Sequence, residues 1–189
     1  MAFLALCAAI PSGASAQRAT FSAGRGSRIQ FVSDAPLERM TGTTSGLSGD
    51  ITWDPSNLSQ VSGTFTVPVT SLRTGIDLRD EHLRGDSWLD AGRFPNLTLE
   101  VERVEGATRL EPNSATRIRL HGSFTVHGVS RPVVVNATVR YIPGEHPEIR
   151  AQGRFTVRLT DHNISVPAPV RLKVSNEIVV NVSLRARAG

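Results

Sequence analysis

Cysteine is nearly missing: among 189 residues Cys7 is the only one. Beyond it neither a disulfide nor a cysteine metal site nor a thiol nucleophile can form. Lysine is as scarce, Lys173 being the sole example among 21 cationic residues. The net charge of +4 and the pI near 10.5 therefore come from scattered arginine. No run of five like charges occurs, and no aromatic side chains alternate with the arginines as a single-strand platform requires, so no nucleic-acid partner is expected. Aromatics are only 5 % of the chain, with one Tyr, too few for the girdles of an outer-membrane barrel. The chain also lacks a GxSxG elbow, an HExxH pair and a glycine-rich phosphate loop between strand and helix. Each absence removes a chemistry: acyl hydrolysis, zinc-dependent hydrolysis and nucleotide binding.

No apolar run reaches the roughly 18 to 20 residues that span a bilayer. The longest, Ala2 to Ile10, is uncharged, breaks at Pro11 and is followed by Ala14-Ser15-Ala16 before Gln17. That pattern reads as a secretory signal peptide over residues 1–16. A mature chain without cysteine, exported, suits a bacterial periplasm or secretion, with no integral insertion into the membrane. Residues 17–26 are expected to be a flexible N-terminal segment and residues 27–187 one barrel domain.

What is plentiful is alternation. Leu47, Gly49, Ile51 and Trp53 take one phase while Ser48, Asp50, Thr52 and Asp54 take the other; Val61, Phe65, Val67 and Val69 oppose Ser62, Thr64, Thr66 and Thr70. The same period of two recurs at about 97–104, 116–127, 131–141, 149–159 and 177–186, and an opening strand carries Ile29 and Phe31. A period of two is the mark of half-buried strands. Short Gly, Pro or Asn turns between them require antiparallel connections. The fold class is all-β, and eight such strands close into a barrel without aggregation-prone edges.

Between about residues 71 and 96 the alternation stops. Asp77 is expected to cap a short helix, LRDEHLR, ended by Gly85, and Asp86 a second turn, SWLDA, ended by Gly92. Leu78, Leu83, Trp88 and Leu89 give these pieces an apolar side, which places them as a lid or plug over the barrel.

Two stretches are more specific than their periodicity: VPVTSLRTGIDLRDEHLRGDSWLDAGRFPNLTLEV, Val67 to Val101, and GSFTVHGVSRPVVV, Gly122 to Val135. In order and separation they resemble the YceI-like family of secreted polyisoprenoid-binding proteins, and the likeness extends more loosely from Ser27 to Ala186. The resemblance implies a lipocalin-like barrel around an apolar tunnel that holds an isoprenoid or other long-chain lipid, with no enzyme activity and no cofactor. The family's opening-region His has no counterpart between Phe31 and Met40, so no head-group contact is carried over.

The inner phase nominates Phe31, Ile51, Trp53, Phe65, Val67, Leu99, Phe124 and Phe155 as the tunnel lining, joined by Leu83 and Trp88 of the lid. Gly49, Gly63, Gly122 and Gly153 share that phase, where a missing side chain either bends a strand or opens space. The polar cluster Asp77, Arg79, Asp80, Glu81, His82, Arg84, Asp86 and Asp90 reads as helix caps plus an Arg79 and Asp80 tie between lid and barrel. His121 and His127 are expected on a solvent-exposed phase, and His162 in a turn. Arg117 and Arg119, with Arg150, Arg154 and Arg158, would form a basic stripe if their strands are neighbours. Two rivals to the lipid carrier stay open on sequence: a secreted metal-dependent enzyme around His82 and its carboxylates, and a filled, ligand-free adaptor barrel. A homodimer stays open as well, because alternation does not tell an exposed apolar patch from an inner face.

Overall fold

The computed structural model describes residues 19–188. The expected signal peptide lies outside the described residues. Ten strands form one antiparallel sheet: β1 (Ala19–Ala23), β2 (Arg28–Asp34), β3 (Arg39–Thr44), β4 (Ser48–Asp54), β5 (Asn57–Pro68), β6 (Asn96–Glu105), β7 (Ala115–Val126), β8 (Val129–Ile142), β9 (Glu148–Arg158) and β10 (Glu177–Ala188). A single α-helix, α1 (Asp77–Arg84), sits between β5 and β6. Among the described residues no helix is long and apolar enough to cross a membrane.

The order β1-β4-β5-β6-β7-β8-β9-β10 closes through a β1–β10 pairing, which makes the eight-stranded antiparallel barrel. Apolar side chains take the inside: Ile51, Trp53, Val135, Val139, Ile149 and Phe155 are buried, and the residues between them face outward. Long strands such as β8 keep this up over their length because two-residue turns fix the register. His127 and Gly128 both have positive φ between β7 and β8, as a tight hairpin turn matched to strand twist demands.

The seam departs from the sequence expectation. One edge of β10 serves two strands in series: Ala186 to Ala188 pair with β1, and Ile178 to Ser183 pair with β2. At the break between them Ser27 is buried, its hydroxyl donating to the Arg185 carbonyl at 3.2 Å and accepting the Arg185 N–H at 3.1 Å. The Arg185 carbonyl also accepts the Gly24 N–H at 2.7 Å, and the Ser27 hydroxyl gives the Arg185 N–H its partner at the break. Within the segment expected to be flexible, Ala19–Ala23 form β1 of the barrel, which therefore begins before Ser27. ATFSA has only one large apolar residue, too little alternation to be read as a strand. Its order comes from Phe21, buried edge-on against Trp53 and Tyr141 with ring centroids 6.4 Å apart in each pair.

β2 and β3 pair with each other along the lower part of β10, and Phe31 lies flat across Gly42 of β3, where a Cβ would stand 2.0 Å from the ring. The other edge of β3 is met by Arg73, whose N–H and carbonyl bond to Thr43 at 3.0 and 2.7 Å.

The inner-phase glycines divide by role. A Cβ on Gly122 would stand 1.8 Å from the Glu100 carbonyl, beside the register shift between Val101 and Arg103, and one on Gly49 would stand 2.1 Å from the Thr64 carbonyl. Gly63 is crowded by Asp50 and Ile51 backbone in the same way. These glycines let neighbouring strands close up and bend; they do not open space. Gly122→Ala is therefore expected to cost at or above the upper end of the about 1–3 kcal/mol typical of overpacking, measured as a lower urea midpoint.

Candidate functional site

The barrel interior has two halves. In one, Phe21, Ile51, Trp53, Leu58, Ile118, Val139 and Ile149 pack into a solid core. In the other, Val67, Leu72, Leu89, Val126, Val135, Phe155 and Val180 surround open space. The cavity there is about 570 Å³, within the roughly 300–1,000 Å³ of small-molecule sites.

Of the expected lining, Phe31, Phe65, Val67, Leu99, Phe124 and Phe155 face the cavity, as do Leu83 and Trp88 from the lid. Phe124 and Phe155 meet edge to face, centroids 5.3 Å apart. Ile51 and Trp53 do not line it. They occupy the solid half, where the buried Trp53 indole Nε1 has no hydrogen-bond partner, a cost of about 1–3 kcal/mol set against its aromatic packing. Alternation tells inside from outside but not height along the barrel axis, and both residues lie at the end of β4 that pairs with β1. Gly153 does line the cavity, and Val135 is its nearest crowding neighbour. Missed by sequence reasoning are Leu97, Ile178 and Val180, whose inward phase was legible, Leu72, which stands past the end of the alternation, and the polar groups Glu38, Thr74 and Lys173, for which the sequence offered no signal.

Access lies between three segments: the turn before β3, the start of α1, and the loop from Pro167 to Val174. A lid of α1 and the turns through Phe94 covers the side. Its N-cap is Ile76, without a side-chain cap, so Asp77 stands inside the first turn instead of capping it. Gly85 closes the helix: its N–H donates to the Glu81 and His82 carbonyls, and its own carbonyl accepts the Trp88 and Asp90 N–H groups. Residues 86–89 and 91–93 form turns, as expected, but among the described residues the Asp86 carboxylate accepts a hydrogen bond from the Ser87 hydroxyl and caps nothing.

The lid is tied down by Asp80 and Arg79. Asp80 is buried and accepts hydrogen bonds from the Thr74 N–H at 2.7 Å and the Thr74 hydroxyl at 2.5 Å. Burial alone would raise its pKa, but those two bonds with the charges of Arg84 and Arg73 outweigh it, and the carboxyl is held below its ordinary value. Arg79 donates to Glu38 at 2.9 Å and to the Thr74 hydroxyl at 3.0 Å, joining the helix to the turn before β3.

The remaining candidates scatter. His82 lines the cavity mouth, and among the described residues no group of three His, Cys, Asp or Glu is placed to hold a metal ion. His121 is only part-exposed, its Nε2 2.7 Å from Glu105. His127 packs on Phe94 at 4.8 Å, and His162 is buried with Nδ1 2.8 Å from the Val129 carbonyl. Both histidines are thus structural parts of the β7–β8 hairpin and the one-turn helix Leu159–His162 beside it, His127 half-buried and His162 buried. β8 separates β7 from β9, so the expected arginine stripe is interrupted: Arg119 and Arg154 flank Asn136 in register.

The YceI-like domain model matches residues 22–186. The chain belongs to the YceI-like family. A UPF0312 protein of Vibrio campbellii is 28 % identical over 136 residues, covering 71 % of this chain and 69 % of the relative. Among solved structures, BcnA of Burkholderia cenocepacia superposes with TM-score 0.70 at 21 % identity, over 84 % of this chain and 95 % of that one. A polyisoprenoid binding domain from Saccharophagus degradans, implicated in plant cell wall breakdown, also gives 0.70, at 17 % identity over 92 % of this chain and all of that one. In this YceI-like chain the stretch Val67 to Val101 builds one wall of the cavity and the lid over it.

Because the folded Asp80 carboxyl ionises below its unfolded value near 3.8, its contribution is complete above that value and is lost as pH falls through the folded pKa. Asp80→Asn is expected to lower stability by about 1–3 kcal/mol at pH 7 and to remove part of the acid sensitivity of the parent below pH 4, read from urea midpoints across pH.

Proposed function

We propose that this YceI-like protein is a carrier that holds an isoprenoid or other long-chain lipid in its apolar half-barrel, for storage or transport in the periplasm or outside the cell. The observation that carries the reading is the cavity itself: an almost wholly apolar hollow inside an otherwise well-packed barrel, in a family with a structural relative described as a polyisoprenoid binding domain. Folding leaves such space unfilled only at a cost, since an empty apolar void forfeits dispersion contacts. A hydrocarbon guest restores them.

The magnitudes fit a modest tail. If each carbon takes roughly the 30 Å³ of a liquid water, the cavity of about 570 Å³ takes about twenty carbons, or about four isoprene units. At about 0.8 kcal/mol per buried carbon, one five-carbon unit contributes about 4 kcal/mol. Three or four units, about 12 to 16 kcal/mol, stand against the roughly 4 to 15 kcal/mol that association and ordering remove, and the fourth unit offsets even the upper figure. Selection is then by length and width of the tail. The glutamate nearest the mouth is already spent on Arg79, which leaves head-group recognition to the few other polar groups there.

The residues Phe31, Phe65, Val67, Leu83, Trp88, Leu99, Phe124 and Phe155 bind the tail in this reading, and no reacting group is required. Organic extraction of protein expressed in the periplasm and purified without detergent, followed by mass spectrometry, is expected to release a long-chain lipid near one per chain. An empty extract contradicts the proposal. Phe124→Trp, with an unchanged urea midpoint as the folding control, is expected to lower loading at least several-fold; unchanged loading shows that the tail lies elsewhere. Export makes its own demand: intact mass of the purified protein should correspond to loss of residues 1–16, and retention of Cys7 contradicts it.

A further inference from the structure

Few large apolar side chains are left in solvent, and their placement is uneven. Leu37, Ile76, Leu78 and Leu172 are 69, 54, 61 and 56 % exposed, against Val134 alone on the barrel wall at 41 %. The first four all belong to the three segments that frame the cavity mouth. Leu37 and Leu172 stand together, the Leu37 N–H donating to the Leu172 carbonyl at 2.8 Å, and Ile76 and Leu78 themselves line the cavity at the start of α1. Pro36, Pro167, Ala168 and Pro169, also exposed, extend the ring.

Charge around the mouth is arranged to match. From His162 to Asn176 the chain contains Arg171 and Lys173 and no acidic residue. Neither cation takes part in an ion pair among the described residues, and both are exposed. Lys173 is also the only lysine of the chain and reaches the cavity rim. The carboxylates nearby are mostly neutralised: Asp34 by Arg39, Glu38 by Arg79, and Asp80 by Thr74 with Arg73 and Arg84. Asp77 and Glu81 on the outer turns of α1 remain.

We propose that this ring is a docking surface for an anionic lipid bilayer: Leu37, Ile76, Leu78 and Leu172 enter the interface while Arg171 and Lys173 lie among the lipid phosphates, setting the cavity mouth directly on the membrane. Apolar residues with flanking cations are what interfacial binding needs. The proposal rests on the carrier reading for its purpose, since a guest transferred at a docked mouth never crosses bulk water. Its physical evidence, exposed side chains and unpaired cations, is separate from the cavity.

Flotation of the purified protein with vesicles of phosphatidylcholine alone, or with a third phosphatidylglycerol, tests it, and lipid extraction of the same protein preparations before any vesicle is added is the control. Wild type is expected to float with the anionic vesicles. Leu172→Asp should weaken binding about ten-fold or more on both kinds of vesicle, as an apolar anchor is replaced by a charge. Lys173→Glu should weaken it about five-fold or more on the anionic vesicles only. Val134→Asp, outside the ring, should float like wild type. Wild-type protein that carries lipid yet does not float overturns the docking surface and leaves the carrier standing; protein that floats as expected but yields no lipid overturns the carrier alone. Flotation that neither Leu172→Asp nor Lys173→Glu reduces, or a stable dimer that Leu172→Asp splits in sedimentation, also overturns the docking surface, the latter by assigning the ring to a second copy of the chain.

Discussion

Everything in this barrel depends on how one edge of β10 is shared. At its C-terminal end the edge pairs with β1, and the ring closes through β4 into a full circle of hydrogen bonds. At its N-terminal end the same edge pairs with β2, which leads to β3 and then to no further strand of the ring. The wall there is completed by Arg73 on Thr43 and by the lid that follows. A closed circle constrains its interior and packs solid around Phe21 and Trp53. The end completed by loops is the one that holds the cavity. The packed end and the hollow end are thus two outcomes of one pairing.

The hollow end is kept hollow by the means that hold it shut. Asp80 holds Thr74 by two hydrogen bonds beside the charges of Arg84 and Arg73, and Arg79 fastens the helix to the turn before β3. These bonds hold the lid as a fixed wall while the mouth beside it stays framed by short loops. A buried carboxylate is costly unless every oxygen finds a donor or a cation. Here the cost is met locally, so the lid can be ordered without filling the cavity with its own apolar side chains.

Much of this was legible in the sequence because a period of two cannot be mistaken over ten or more residues: the eight-stranded closure, the interior phase, and the membership of Phe65, Phe124 and Phe155 in one face. The lid was legible from the break in period and from LRDEHLR, with its role fixed by Leu83 and Trp88. What periodicity does not carry is position along the axis. Ile51 and Trp53 share the phase of the cavity residues but stand in the solid half. Nor does it carry the reason for a glycine: Gly122 and Gly49 permit backbone approach, whereas Gly153 faces the cavity. ATFSA was too short to show a period at all, and the order of β1 depends on rings contributed by Trp53 and Tyr141, far away in sequence.

The central claim is that the wide half of the barrel encloses a hydrocarbon chain. A high-resolution electron-density map of protein purified without detergent tests it most directly. It should show continuous, elongated density with no polar contacts along its length, running from the edge-to-face pair of Phe124 and Phe155 past Phe31 to the mouth beside Lys173. A half-barrel collapsed onto itself, with Phe31 packed against the Phe124 and Phe155 pair and no channel from them to the mouth, would contradict the account.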